Sequence, residues 1–357
     1  MTKLFQPLQF KSGVAMKNRL TLAPLTNTQS DEDGCLSDDE YRWLTMRARG
    51  GFGLTMTCAS HVQQVGQGFP GQLGCFSDNH IDGLARLASG IKEANSLAVV
   101  QIHHAGMRSP TDLIGKRPVC PSDDEKTGAR ALTMEEVAQL SKDFVAAAER
   151  AEKAGFDGVE IHAAHGYVLC QFLSPTINKR RDRYGGSLEN RARIIFEIVD
   201  GIRARCRPEF LLGVRLSPER FGVRMAEIRT LAQQLMTTAE IDFIDMSLWD
   251  CFKEPEEEEF QGQSLMSYFT DLARGDVRLG VAGKLRTGAD AARCIDMGAD
   301  FVTIGRAAIL HHDFPEKLKV NSDFESVQLP VSAAYLRSEG LGEAFIRYMS
   351  AWEGFVE

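Results

Sequence analysis

Residues 158–191 read GVEIHAAHGYVLCQFLSPTINKRRDRYGGSLENR, and this segment begins like a buried strand that ends in polar side chains. The short, mainly apolar run Gly158–Ile161 is followed at once by two imidazoles, His162 and His165, and by the phenol of Tyr167. In barrels of alternating strands and helices, the loops that leave the carboxyl ends of the strands surround one shared cavity. The segment therefore predicts an α/β barrel with these three side chains at its functional rim.

Seven further runs have the length and apolar character of strands, and longer helical patterns separate them. This alternation predicts parallel strands that are linked by helices. Together with Gly158–His162 the count reaches eight, which is the number in a closed (β/α)8 TIM barrel. The other candidates are Leu20–Leu22, Gly53–Thr57, Ala98–His103, Leu211–Leu216, Phe243–Met246, Leu279–Ala282 and Phe301–Ile304.

Capping patterns predict where three of the intervening helices begin. Thr133, with Glu136 three residues later, has the pattern of a capping box, and the helix that follows is expected to end before Gly155. Ser187 and Thr287 are expected to cap two later helices, because their side chains can accept a hydrogen bond from the first helical turn. These signals place helices between the candidate strands.

The segment before the first strand holds two short apolar stretches around Lys11–Gly13, which predict an N-terminal β-hairpin that caps the barrel floor. The chain has 357 residues, which is long for one domain. Barrels of this kind nonetheless reach such lengths as one unit, so we expect residues 1–357 to form a single domain. Glu256–Glu259 are expected to lie in a solvated loop after the sixth strand.

Composition excludes several classes of protein. The net charge of −8 argues against general nucleic-acid binding, which needs a basic surface. The sequence contains no uninterrupted apolar run of about 18 residues and no secretory signal pattern, so we expect a cytoplasmic protein without a membrane partner. The eight cysteines are scattered without Cys-x-x-Cys spacing, which favours reduced thiols over a disulfide framework or a structural zinc site.

The runs IHAAHGY and RDRYGGSLENR resemble the Old Yellow Enzyme family of FMN-dependent ene-reductases. The resemblance implies FMN as cofactor, NADPH or NADH as reductant and an activated alkene as substrate, in a ping-pong reaction. It implies that His162 and His165 hold the carbonyl or nitro oxygen of the alkene, with His162 also touching the flavin, and that Tyr167 protonates the carbon. Because relatives are often dimers or tetramers, it implies a homo-oligomer, and Arg347 is a candidate to complete a neighbouring site.

The ends of the last two strands carry candidates for a phosphate cradle. After the eighth strand, Thr303–Arg306 leads into a short segment whose opening N–H groups, at Gly305 and beyond, would point at a phosphate. Arg306 would add positive charge. Gly283, after the seventh strand, would let the backbone approach the same group closely.

Two polar residues at strand ends are candidates for the flavin's pyrimidine edge. Arg215 closes the fifth strand, where a buried cation needs a partner: either a reduced flavin or a carboxylate such as Glu160. Gln101 ends the third strand, where relatives bind the pyrimidine with an amide, although a buried Gln is also often a satisfied core residue. The adjacent His103 and His104 face opposite sides of that strand and are interpreted as structural rather than as metal ligands.

The first strand is followed by Ala23, Pro24, Leu25 and Thr26, which resemble the family's segment beneath the flavin. Thr26 falls where a hydroxyl or thiol contacts flavin O4, and Ala59, after the second strand, would present its backbone to the ring. Relatives with this type of histidine pair often have Cys and Tyr where this chain has Thr26 and Thr28.

Thr28 and Trp249 are candidates for the substrate pocket, and Trp249 could equally be a packing aromatic. One alternative to the ene-reductase is a metal-dependent barrel hydrolase or aldolase, which would use His at strand ends together with carboxylates. We expect no metal, because the sequence shows no carboxylate cluster at the rim. A barrel that serves only as a binding protein is the other alternative.

Overall fold

The computed structural model describes residues 2–238 and 240–357, and eight parallel strands in it close into a barrel. The barrel order is β3-β4-β5-β8-β9-β10-β11-β12, with β12 paired to β3. The strands are β1 (Leu8–Gln9), β2 (Ala15–Met16), β3 (Leu20–Leu22), β4 (Leu54–His61), β5 (Leu97–His103), β6 (Val119–Cys120), β7 (Arg130–Ala131), β8 (Gly158–Ala163), β9 (Leu211–Leu216), β10 (Phe243–Ser247), β11 (Arg278–Ala282) and β12 (Phe301–Ile304).

Helices surround the barrel and cover the outer faces of its strands. The helices are α1 (Asp38–Arg49), α2 (Ile81–Lys92), α3 (Thr111–Ile114), α4 (Met134–Lys153), α5 (Val168–Leu173), α6 (Leu188–Arg205), α7 (Met225–Thr238), α8 (Ser267–Thr270), α9 (Gly288–Asp296), α10 (Arg306–Leu310), α11 (Phe314–Val320), α12 (Ala333–Ser338) and α13 (Glu343–Ser350). The (β/α)8 fold predicted from the sequence is confirmed, since all eight candidate strands form the barrel. No described helix is long and apolar enough to span a bilayer.

The predicted helix caps are confirmed. Thr133 accepts a hydrogen bond from the backbone of Glu136, whose carboxylate bonds back to the Thr133 N–H, so α4 begins with a complete capping box. Ser187 caps α6 and Thr287 caps α9 in the same way from their side chains. The helix α4 ends at Lys153, just before the left-handed Gly155, as expected. These caps satisfy N–H groups that the helices cannot pair internally.

The N-terminal hairpin closes the barrel floor, as predicted. Strands β1 and β2 pair antiparallel, and Phe10 beside them packs its ring against Phe243 and Phe301, with centroids 5.8 and 6.4 Å apart. Those two rings fill the barrel bottom because Gly213 and Gly280 leave space for them, and a Cβ at either glycine would overlap a ring. The floor is therefore a packed apolar layer, which leaves the opposite rim for polar residues.

Two local features differ from the sequence prediction. Strand β4 continues past Thr57 to His61, because its register against β5 shifts between Met56 and Ala59. A small parallel pair, β6 and β7, lies in the connection between β5 and α4 and was not predicted. Neither feature changes the order of the barrel.

Candidate active site

A cavity of about 360 Å³ opens at the rim formed by the carboxyl ends of the barrel strands. It brings together nine of the residues that the sequence singled out, and other predicted residues lie behind or beside it. The nine are Ala23, Pro24, Leu25, His165, Arg215, Trp249, Gly283, Gly305 and Arg306. The cavity therefore joins the ends of β3, β9, β11 and β12 with the loop after β8.

The histidine pair is arranged as a directed chain of hydrogen bonds. The backbone N–H of Ala164 donates to Nδ1 of His162, so the proton of His162 lies on Nε2. That Nε2 is 3.3 Å from Nδ1 of His165, which leaves the proton of His165 on its own Nε2, 2.7 Å from the Ser247 hydroxyl. Each imidazole thus carries its one proton on Nε2, with His165 as the present acceptor for His162 and Ser247 for His165, so a ligand oxygen would take these two donors by replacing those acceptors.

Both imidazoles are neutral. Burial is the main cause that lowers the pKa of His165 to about 3, and the cations of Arg215 and Arg108 add to it. Burial also lowers the pKa of His162 well below its ordinary value, with His165 as the next cause. The pair can therefore donate hydrogen bonds without titrating near neutral pH.

The backbone at the histidine pair is held in an unusual conformation. His165 has a φ of 59° and the following Gly166 a φ of 72°, so both are left-handed. The N–H of His165 donates to the Ser217 hydroxyl at 3.0 Å, which fixes this turn against the loop after β9. Such a conformation in a residue other than glycine is common where a side chain must be aimed at a ligand.

Tyr167 lies beside the pair at the start of α5. Its ring meets His103 edge to face, with centroids 4.3 Å apart, and lies 5.0 Å from the ring of His162. Within the described chain its hydroxyl makes no hydrogen bond, although two aromatic neighbours and the guanidinium of Arg108 fix the ring. The phenol is thus held in place while its O–H stays available.

His103 belongs to this group, although the sequence analysis treated it as structural. It is buried, and both of its ring nitrogens are without a partner among residues 2–238 and 240–357. The prediction that His103 and His104 face opposite sides is confirmed, because His104 turns away to bond Gln63 and the N–H of Gly106. The signal that places His103 in the site is its two unpartnered ring nitrogens, and a sequence does not show which nitrogens have partners.

A layer of charged residues lies inside the barrel beneath the rim. Arg215 stands next to Asp245 in register, with Nη1 3.4 Å from Oδ2, so its carboxylate partner is Asp245 rather than Glu160. Gln101 donates from Nε2 to Oε1 of Glu160 at 2.6 Å. The Arg215 Nε and Glu160 Oε2 are buried without a hydrogen-bond partner in the described structure, and Asp245 Oδ2 has only its ion pair with Arg215, so a polar ligand is expected here.

The first-strand loop contacts the C-terminal helix α13. The hydroxyl of Thr28 donates to the carbonyl of Ala344 at 3.2 Å, and the Gly342 N–H donates to Gln29 at 2.8 Å. Thr28 therefore helps to dock α13. Any contact between Thr28 and a substrate stays a prediction.

This docking brings Tyr348 into the site, which the sequence analysis did not foresee. Burial raises the pKa of Tyr348 above its ordinary value and the Tyr167 phenol adds to the shift, while hydrogen bonds to Trp352 and Thr26 oppose it. Tyr348 thus places a second phenol beside Thr26 and Tyr167. Its neighbour Arg347 is exposed, and its proposed role in a neighbouring subunit stays a prediction.

Ala59 lies at the irregular part of β4. Its carbonyl accepts a hydrogen bond from the amide of Gln72, which occupies part of the backbone that was expected to face a flavin.

The loop after β3 is held by the buried Glu40, whose carboxylate accepts hydrogen bonds from the Asn27 amide at 2.9 Å and from the hydroxyl of Ser30. These contacts fix the position of the loop that carries Thr26.

The end of β12 has the features of a phosphate cradle. Gly305 precedes the short helix α10, whose first N–H groups have no intrahelical partner. Arg306 and Arg286 line a second cavity of about 340 Å³, and in the described chain neither guanidinium pairs with a carboxylate. Burial lowers the pKa of Arg306, and the nearby Arg286 lowers it further. Two converging cations without an anion fit a phosphate, and the sequence analysis had missed Arg286.

Gly283 directly follows β11 and lies against the backbone of Asp250 and Cys251, in the segment after β10. A Cβ on it would come within 2.8 Å of the N–H nitrogen of Cys251 and 2.9 Å of that of Asp250. Only glycine leaves room there. The expected approach of the Gly283 backbone to a phosphate stays a prediction.

Trp249 is 61% exposed at the edge of the cavity, with a left-handed φ of 64°. The guanidinium of Arg220 lies 4.8 Å above its ring and also pairs with Glu256. The acidic loop is thus more ordered than expected, since Glu257 also accepts the N–H of Met225 at the start of α7. Trp249 lines the cavity, and its contact with a substrate stays a prediction.

The residues present fit a flavin. The unpartnered Nε of Arg215 and the neighbouring amide of Gln101 beneath the rim match the pyrimidine edge, the arginines without an ion pair match a phosphate, and the neutral histidine pair lies beside the space between them. The model of the NADH:flavin oxidoreductase / NADH oxidase family matches residues 3–325 of the chain.

Relatives agree with this family. A probable NADH-dependent flavin oxidoreductase of Bacillus subtilis, YqiG, is 38% identical over 327 residues, which are 88% of this chain and 87% of that protein. An NADPH dehydrogenase of Bacillus licheniformis is 33% identical over 319 residues, 88% of this chain and 93% of that protein. An NADH:fumarate oxidoreductase of Klebsiella pneumoniae is 33% identical over 90% of this chain, but the match spans only 36% of that protein.

Solved structures show the same barrel. The Old Yellow Enzyme homologue of Zymomonas mobilis has a TM-score of 0.79 at 28% identity, covering 94% of this chain and 96% of that one. A morphinone reductase variant in complex with tetrahydroNAD has a TM-score of 0.77 at 28% identity, covering 93% of both chains. The chain therefore belongs to the NADH:flavin oxidoreductase / NADH oxidase family, as an NAD(P)H:flavin oxidoreductase of the Old Yellow Enzyme type.

Proposed function

We propose that this protein reduces the C=C bond of alkenes that are activated by a carbonyl or nitro group. The observation that carries the proposal is the neutral His162–His165 pair beside the unbonded hydroxyl of Tyr167. Two imidazole N–H donors and one phenolic O–H donor in neighbouring side chains, of which His165 lines the cavity, match the two needs of this reaction. One is stabilisation of an oxygen that gains negative charge, and the other is protonation of a carbon.

FMN is proposed as the flavin, because the two unpaired arginines at the end of β12 offer a site for one phosphate group. When bound, it would accept a hydride from NADH or NADPH and pass it to the alkene. Arg215 and Gln101 would hold its pyrimidine edge, and Gly283, Gly305 and Arg306 its phosphate. The choice between NADH and NADPH stays open, since the names of the relatives include both.

The chain's own residues would act in sequence in a ping-pong reaction. His162 and His165 hold the activating oxygen of the alkene through their Nε2 protons and stabilise the enolate or nitronate that develops. Tyr167 gives its hydroxyl proton to the carbon next to the activating group, and solvent restores that proton. Trp249 covers one side of the substrate, with Tyr348 and Thr26 at the other. We also propose that residues 1–357 act as a single domain.

A visible absorption spectrum of the purified protein, repeated with p-hydroxybenzaldehyde, tests the proposal first. We expect the spectrum of an oxidised flavin and a broad long-wavelength band when the phenolate binds to the histidine pair. Anaerobic addition of NADH or NADPH should bleach the flavin, and 2-cyclohexenone should restore its colour. A protein that stays colourless after incubation with FMN would contradict the proposal, and so would a reduced flavin that no activated alkene reoxidises.

The metal-dependent alternative has little support at this rim. Within the described residues, His312, Asp313 and Glu339 could together approach one ion, but none of them lines the cavity that contains His165. The two carboxyls near that cavity, Glu160 and Asp245, lie beneath Arg215 inside the barrel. Activity that is lost with a chelator, in a protein without flavin absorbance, would favour this alternative.

A further inference from the structure

Arg108 lies beside His165 and Tyr167, on the turn Gly106–Arg108 that follows β5. Its Nη1 donates to the carbonyl oxygen of His165 at 2.6 Å, and its guanidinium carbon is 4.6 Å from the centre of the Tyr167 ring. Arg108 therefore touches two of the residues to which the reaction is assigned. Arg108 is exposed, so its remaining N–H groups are open to solvent and can reach a ligand.

The turn that carries Arg108 is held rigidly. Gly106 has a φ of 65°, and a Cβ on it would overlap the side-chain amide of Gln171. That amide donates to the carbonyl of Gly166 at 2.8 Å and accepts from the N–H of Met107 at 3.2 Å. The turn after β5 and the histidine turn after β8 are thus fastened to one another, which keeps the guanidinium beside the reacting groups.

Arg108 has no carboxylate partner in the part of the chain that the structure describes. Two other rim cations are paired, Arg220 with Glu256 and Lys284 with Asp250 at 3.2 Å, whereas Arg108, like Arg286 and Arg306, forms no ion pair among the described residues. Because Arg108 is exposed, its guanidinium is open to an anionic ligand.

The groups around Arg108 do not compensate its charge. Burial is the first cause that lowers the pKa of His165 and of His103, and Arg108 lowers both further, so these imidazoles are neutral. Tyr167 and His162 add no negative charge either. The positive charge beside His165 and Tyr167 is therefore located on the guanidinium of Arg108, next to the proposed proton donor.

We propose that Arg108 binds a carboxylate of the substrate, so that the preferred alkenes carry an anionic group on or next to the double bond in addition to the activating carbonyl. This inference rests on the proposed alkene reduction and names its substrate class. Only one of the five N–H groups of Arg108 is engaged within the protein, and the fork that remains matches a carboxylate in geometry. The Tyr167 ring shields one face of the guanidinium from water, which strengthens such a pair.

The pair would also favour the chemistry. A free carboxylate next to a double bond repels an incoming hydride, because it places negative charge beside the carbon that is attacked. A guanidinium that neutralises this charge removes the penalty, while the histidine pair still polarises the carbonyl. The site would then discriminate between an acid and its ester, which differ in charge but little in shape.

The test compares trans-4-oxo-2-pentenoate with its methyl ester in the flavin-loaded enzyme, using wild type, Arg108→Gln and Arg108→Lys. We expect wild type to prefer the acid, and Arg108→Gln to lower kcat/KM for the acid about 10- to 100-fold but for the ester less than about threefold. Arg108→Lys should restore part of the acid activity. Arg229→Gln removes a surface cation that already pairs with a carboxylate, Asp271, so it should leave the acid-to-ester ratio unchanged.

A binding measurement separates this inference from the proposed function. The dissociation constants of 3- and 4-hydroxybenzoate, each against its methyl ester, can be read from the flavin spectrum without turnover. A loss of acid binding in Arg108→Gln would support the anion site even if no alkene were reduced. An equal loss for acid and ester would mean that Arg108 only positions its neighbours, and a wild type without preference for the acid would likewise overturn the inference. A matching rise in KM for NADH or NADPH would assign Arg108 to the nicotinamide dinucleotide instead.

Discussion

The side-chain amide of Gln101 donates a hydrogen bond of 2.6 Å to Oε1 of Glu160 inside the barrel, and these two residues are direct neighbours in the register of β5 and β8. Burial is the first cause that raises the pKa of Glu160 from 4.5 to about 8, the nearby Asp245 adds to the shift, and Arg215 opposes it. Glu160 therefore keeps its proton at neutral pH. The layer below the proposed flavin, which contains Glu160 and Asp245, therefore carries less negative charge than two ionised carboxylates would give.

The first prediction concerns the stability of the protein as a function of pH. Because the pKa of Glu160 is higher in the folded than in the unfolded chain, its contribution is greatest below about pH 4.5 and is lost as pH rises through about 8. Glu160→Gln mimics the protonated acid, so we expect a Tm that depends less on pH across this window. Across this window, the change in the free energy of unfolding with pH should differ between wild type and Glu160→Gln by on the order of 1–4 kcal/mol.

The Tm of wild type, Glu160→Gln and the exposed control Glu209→Gln should be measured between about pH 5 and 8. The control should follow wild type throughout. Parallel curves for wild type and Glu160→Gln would show that the buried carboxyl titrates outside this range.

The second prediction concerns the histidine pair. His165→Ala removes the N–H that faces Ser247 and one of the two donors for the substrate oxygen. We expect binding of p-hydroxybenzaldehyde to weaken about 10- to 100-fold, as when one donor to a charged oxygen is lost, and alkene reduction to slow at least as much. Flavin content should change little. Near-normal turnover of 2-cyclohexenone in this variant would remove His165 from the proposed mechanism.

The third prediction separates the two phenols of the site. Tyr167→Phe keeps the ring that packs on His103 but removes the unbonded hydroxyl. We expect it to slow reoxidation of the reduced flavin by alkenes about 10²- to 10⁴-fold and to leave reduction by the nicotinamide nearly unchanged. Tyr348→Phe is the matched variant, since its hydroxyl lies at the same end of the site. If Tyr348→Phe shows the larger loss in the alkene step, the proton donor is Tyr348.

The sequence was sufficient for the barrel because parallel strands are buried on both faces and read as short apolar runs between capped helices. The two-residue strands β6 and β7 have no such signature, so they were missed. The histidine pair and Tyr167 were found because they lie within six residues on one turn.

Tyr348, Arg286 and Arg108 could not be placed in the same way. Each reaches the site through a contact between distant segments, such as the hydrogen bond that docks α13 against Thr28. The carboxylate beside Arg215, Asp245, was not foreseen for a related reason. Which carboxylate faces it depends on the register of β9 against β10, and a single sequence does not reveal register.

The last prediction concerns the phosphate cradle. Arg306 and Arg286 converge without an anion, so Arg306→Ala and Arg286→Ala should each weaken binding of FMN about 10- to 100-fold, since a charge-assisted hydrogen bond to phosphate is lost. Binding of riboflavin, which lacks the phosphate, should change less than about threefold. Arg42 is exposed on α1, and Arg42→Ala controls for the general loss of positive charge. Fluorescence titration of the apoprotein with each flavin measures these constants. An equal loss for FMN and riboflavin would mean that the arginines support the fold of the rim rather than the phosphate.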